Sequence, residues 1–168
     1  MSSLFNSVMS MRLSLFSRCL LVLLLAPISL LAQVHLGDSH AQQQLNVAQQ
    51  WLQGKRYSVV AGIVVDLKDH PDKVVAQKAA EIEVLAAIGM EDSKAISLAS
   101  DFVKNYPNAL GANQIYFKAG GAFFKVGQYS KALPWFQKVT IGGLSTKEQQ
   151  DYYFYYGYCK FASKDYKA

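Results

Sequence analysis

The chain has 168 residues, 51% of them hydrophobic and 17% charged. That composition excludes intrinsic disorder and fits one domain once a targeting segment is set aside. The net charge of +5 comes from basic residues placed singly, as at Lys104, Lys118, Lys125, Lys131 and Lys138, so no basic run points to a nucleic-acid partner.

Residues 11–32 have the three parts of a secretory signal. Arg12 and Arg18 give a positive flank, and an apolar core of 14 residues follows at 19–32, broken by Pro27. This core is short of the ~20 residues that span a bilayer. A signal peptide over 1–32 is expected, with cleavage after Ala32 or, given Ser39-His40-Ala41, as late as residue 41. A retained anchor is the competing reading. Cys19 opens the apolar core instead of following it, which argues against lipoprotein processing. The rest of the chain is expected outside the cytoplasm, periplasmic or associated with the outer membrane of a Gram-negative cell.

From residue 42 the pattern becomes helical. Leu45, Ala48, Trp51 and Leu52 recur at helical spacing over 41–53. Gly54-Lys55-Arg56 makes a turn, and a second helix is predicted over 57–67. Its Val and Ile content also suits a strand, but the context of the repeat favours a helix. His70-Pro71 ends it, because proline cannot continue a helix. Helices follow at 74–88 and 93–105 around a turn at 89–92, ended by Pro107, then at 112–126 and 129–139 around Gly127-Gln128. Ser145-Thr146-Lys147-Glu148 reads as a capping box for a last, aromatic-rich helix through Phe161.

The residues opening each second helix are Tyr57, Ser93, Tyr129 and Tyr166, at spacings of 36, 36 and 37, and Pro71 and Pro107 are also 36 apart. A fixed period of this size means stacked helix pairs. In the third pair, Tyr116, Ala119-Gly120, Phe123, Ala132 and Phe136 fall in the order bulky, small pair, aromatic, small, aromatic. On these residues the chain resembles the tetratricopeptide repeat family of bacterial envelopes and, more distantly, BamD-like outer-membrane assembly proteins. The fourth unit departs from the pattern at Lys160, and the second, with Val84, Ala87, Ile96 and Ser100, matches least. The resemblance implies an all-α fold, an α-solenoid of antiparallel helix pairs, with units at about 42–73, 74–111, 112–143 and an incomplete 145–168. Because the last aromatic helix needs a following helix to bury it, the array is expected to continue past Ala168.

No residues are grouped for chemistry. His35, His40 and His70 have no Cys or carboxylate at ligand spacing, and Cys159 has no histidine near it in sequence. No catalytic residue, metal or cofactor is assigned, and no small-molecule substrate is expected. The resemblance implies a non-catalytic scaffold that holds a partner peptide or protein, an envelope protein, in a concave groove lined by the first helix of each pair. The groove edge then consists of Gln114, Phe117, Phe124 and Lys125, continued by Asp151, Phe154 and Tyr158, with Lys78, Glu81, Leu85, Gln42, Leu45 and Gln49 on earlier units. The same aromatics would equally serve as packing between units. Two other readings fit the same residues: a BamD-like assembly component, and the N-terminal module of a longer enzyme or sensor.

Overall fold

The computed structural model describes residues 40–163, which are helical with no strand. The expected signal at 1–32 and the turn residues beyond 163 lie outside them. Helix α1 spans 40–53, so the later of the two cleavage points, residue 41, falls in its first turn. It is followed by α2 (Tyr57–Val64), α3 (Lys73–Gly89), α4 (Ala95–Asn105), α5 (Ala112–Lys125), α6 (Tyr129–Phe136) and α7 (Thr146–Ala162), with a 3₁₀ turn at Ile141–Gly143. No described helix is long and apolar enough to cross a membrane.

The turns that close α1, α3 and α5 are copies of one another. The amides of Arg56, Asp92 and Gln128 donate to the carbonyls of Trp51, Ala87 and Phe123, at 2.9, 3.0 and 2.9 Å. One residue earlier, the amides of Lys55, Glu91 and Gly127 donate to Leu52, Ile88 and Phe124, at 3.0–3.1 Å. These two bonds together define a Schellman C-cap, which requires a left-handed residue just past the helix. That residue is Lys55 (φ 59°), Glu91 (φ 56°) and Gly127 (φ 74°). The three positions are 36 residues apart, so the sequence period is also a period of backbone geometry. Only the third turn carries the glycine that makes the conformation easy.

Helix ends depart from expectation for local reasons. α6 stops at Phe136 and not at 139: past it the amides of Lys138 and Val139 donate three residues back, to Trp135 and Phe136, at 3.2 and 3.1 Å. α2 stops at Val64, followed by turn structure over 65–69. α4 starts at Ala95, two residues late, after Asp92 Oδ1 accepts from the Lys94 amide at 2.7 Å. α3 is capped by Asp72, whose Oδ1 accepts from the Val74 amide at 2.8 Å. The capping box on α7 forms with both legs present.

Helices pack on their neighbours in sequence and on the next but one. α3 meets α2, α4 and α5; α5 meets α3, α4, α6 and α7; α6 meets α7. This places α3, α5 and α7 side by side along the unit that starts at Gln42. Two cores result. One is aliphatic around Val84, Ala99, Ile115 and Ala119, with Phe102 as its ring. The other is aromatic around Phe117, Phe136 and Tyr152, with Ala132 and Cys159 between them. Gly120 lets α5 and α6 touch: a Cβ there would fall 2.8 Å from the Phe136 ring. Tyr152 Oη then donates to the Phe136 carbonyl at 3.3 Å, tying α7 to the end of α6.

Candidate binding groove

A groove of about 490 Å³ crosses α5, within the size range of ligand pockets in proteins. Its floor is α5, through Phe117, Lys118, Gly121 and Lys125. Phe117, Gly121 and Lys125 follow one another at four-residue steps, and Lys118 lies three before Gly121, so they line one side of the helix. One wall is the α3–α4 turn with Glu91, Asp92 and Ser93 and the start of α4 with Ala95 and Ile96. The opposite wall is α7, through Asp151 and Tyr155, again one turn apart. Gly121 leaves the floor open: a Cβ built on it meets nothing within 4 Å. A smaller cleft of about 370 Å³ lies elsewhere, between α4 and α6, over Tyr116, Trp135 and Lys138.

The seven residues expected on the groove edge meet three fates. Phe117, Lys125 and Asp151 do line the groove. Phe117, however, is only 4% exposed. Its ring lies 6.3 Å from Phe136 and stacks at 6.5 Å and 19° on Tyr155. It supports the floor from the core and is not the free anchor that the helix pattern implied.

Gln114 is consumed by an internal tie. Its Nε2 donates to Glu148 Oε1 at 2.6 Å, and Lys118 Nζ reaches the same oxygen at 3.0 Å. The second Glu148 oxygen accepts from Ser145, from the amide at 3.2 Å and the hydroxyl at 2.7 Å. Partial burial alone would raise the Glu148 pKa. The hydrogen bonds from Gln114, Ser145 and Lys118 outweigh it and hold the carboxyl at about 2. One carboxylate therefore caps α7 and fastens it to α5.

Phe124, Phe154 and Tyr158 lie outside the groove, in a cluster of rings. Phe124 is half-buried, with its centroid 4.4 Å from Tyr155, 5.7 Å from Tyr158 and 6.0 Å from Phe154. Tyr129 joins it against Tyr158 at 5.0 Å, and this contact with Tyr158 raises the Tyr129 phenol above its ordinary range. Edge-to-face and tilted contacts of this kind join helices. Phe154 and Tyr158 keep exposed outer surfaces, and Tyr153 is exposed as well. In the earlier units, Leu45 is buried, and Lys78 pairs with Glu81 at 2.8 Å.

The acidic wall, Gly121 and Tyr155 escaped the reading of the sequence. Gly121 and Tyr155 lie one turn beyond Phe117 and Asp151, a signal that was present in the register. The wall at Glu91 and Asp92 comes from the preceding unit's turn, and no local pattern places it over α5. Cys159 is fully buried in the aromatic core, and burial raises its thiol pKa, the opposite of what a nucleophilic thiolate needs. Among the described residues, no three His, Cys, Asp or Glu side chains gather as for a metal ion. No protein-family model matches the chain, and no curated protein or solved structure is significantly similar to it.

Proposed function

We propose that this chain is a non-catalytic interaction scaffold, an α-solenoid of tetratricopeptide-like helix pairs that binds an extended segment of another protein in the groove over α5. The observation that carries the reading is the turn that recurs at Lys55, Glu91 and Gly127 with the same pair of backbone hydrogen bonds. A repeated turn gives each helix pair the same hairpin geometry, and stacking of like pairs generates a concave face. The groove lies on the side where α3, α5 and α7 adjoin, and its floor has an aromatic support and an open glycine. Recognition of this kind rests on apolar anchoring with a few polar contacts that fix orientation. The signal-like segment at 11–32 makes the partner an envelope protein of a Gram-negative cell, with the scaffold periplasmic or peripheral to the outer membrane.

The test uses a peptide display library selected on the purified full chain. Sequences enriched on the wild type should lose at least tenfold in affinity on Gly121→Trp, which fills the groove from a position where a Cβ meets nothing within 4 Å. Circular dichroism confirms that the variant keeps its helical content. Selected peptides that bind both proteins equally, or a library that yields no binder, would contradict the proposal.

A further inference from the structure

The groove is acidic in a chain that is not. Against a net charge of +5, three carboxylates face it, Glu91, Asp92 and Asp151, with two lysines, Lys118 and Lys125. The lysines do not balance them. Lys118 is committed to Glu148 at 3.0 Å. Lys125 lies 3.9 Å from Glu91 with both side chains mostly exposed, a separation and exposure at which solvent screens the pair to little. Asp92 uses one oxygen on the Lys94 amide.

Asp151 differs from the others. It is half-buried on the α7 wall, and its carboxylate makes no hydrogen bond or ion pair with any described residue. A partly desolvated carboxylate with no donor gains from a cation that brings its own donors. One turn further along α7, Tyr155 lines the same cavity, stacked on Phe117. Stacked rings of this kind take a cation, as Lys118 already does over Phe117, at 5.2 Å from the ring centroid. A planar guanidinium suits both neighbours, bidentate to a carboxylate and flat on an aromatic face.

Building on the groove reading above, we propose that the recognised segment carries a basic residue, an arginine above all, whose head pairs with Asp151 and whose stem lies along Tyr155. The open space at Gly121 admits the main chain of the segment beside it. Glu91 and Asp92, on the far wall, extend the negative field and orient the positive end of the segment.

The experiment uses the peptides selected on the full chain. Basic residues should be enriched next to an apolar position. For a selected peptide, Asp151→Asn should weaken binding about tenfold, the fold-change expected for one charge-assisted hydrogen-bonded pair. The same peptide with citrulline for arginine should bind both proteins within about twofold of each other. Winners blocked by Gly121→Trp but free of basic residues, or enriched in Glu and Asp, would overturn the cationic assignment and leave the groove intact. An equal loss on Asp151→Asn with arginine and with citrulline would do the same. Winners indifferent to Gly121→Trp, or no winners, would remove the groove itself.

Discussion

The helix pairs from α1 to α4 and the region from α5 to α7 share a frame and differ in filling. Both are built on the same left-handed turn, at Lys55 and Glu91 in the first and at Gly127 in the second. Their interiors are unlike. The first region is filled with small aliphatic residues, Ala48, Val60, Ala79, Ile82 and Val84, and its charges pair on its surface, as Lys68 does with Glu83 at 2.7 Å. The second is filled with rings, packed around Phe136. At matching register, Gly120 and Phe136 correspond to Val84 and Ser100 one unit earlier, and to Ala48 and Val64 one unit before that. Gly120 with Phe136 and Ala48 with Val64 each set a small residue against a larger buried one, whereas Ser100 is exposed and leaves Val84 without such a partner. Volume can therefore be exchanged across the pair while the turn geometry stays constant, and the groove opens where the two regions meet.

Breaking the aromatic interior gives the largest effect. Phe136→Ala removes the largest fully buried side chain among the described residues, so it should cost about 3–5 kcal/mol, read from the denaturant midpoint. If it costs no more than an exposed substitution such as Leu110→Ala, the ring cluster is not the core described above. The volume exchange is tested next. Gly120→Val should lose about 1–3 kcal/mol by overpacking, because even its Cβ would come within 2.8 Å of Phe136. Combining it with Phe136→Leu should recover part of that loss, and two losses that simply add would mean the positions do not share a volume.

The tie between α5 and α7 depends on pH. Glu148 is held at about 2, below its ordinary 4.5. Its contribution is therefore complete above pH 4.5 and is lost as pH falls from there through 2. After discount for partial exposure it is on the order of 1–2 kcal/mol. Wild type should lose more stability than Glu148→Gln between pH 5 and 2. Equal acid profiles would mean that the carboxylate does not hold the helices together. The smallest effects test the shared frame. Lys55→Gly should stabilise by roughly 0.5–1 kcal/mol and Gly127→Ala should destabilise by a similar amount, since both positions are left-handed. A loss from Lys55→Gly would show that the turns are not equivalent.

What the sequence made legible was local or periodic. The capping box at Ser145 and Glu148, the turn at Gly127, the close approach at Gly120 and the 36-residue phase each rest on residue types at fixed offsets. The helical class followed from them. The turns at Lys55 and Glu91 were placed from the sequence but their left-handed conformation was not, because neither residue type advertises it. The site was read least well. Helical spacing marks which residues share a face, but not whether that face meets another helix. Phe117 and Phe154 share that signature with core residues, and the structure puts Phe117 at 4% exposure and Phe154 at 63%. Gln114 was read as a groove-edge residue, and its tie to Glu148, 34 residues away in sequence, was not legible.

The most direct test of the groove is a map of amide chemical shifts on the full chain, titrated with a peptide selected from the display library. The account predicts perturbations concentrated at 88–96, 117–128 and 151–155, where the α3–α4 turn, α5 and α7 line the cavity. Perturbations confined to the exposed rings of Tyr153, Phe154 and Tyr158, or to the cleft between α4 and α6, would contradict it.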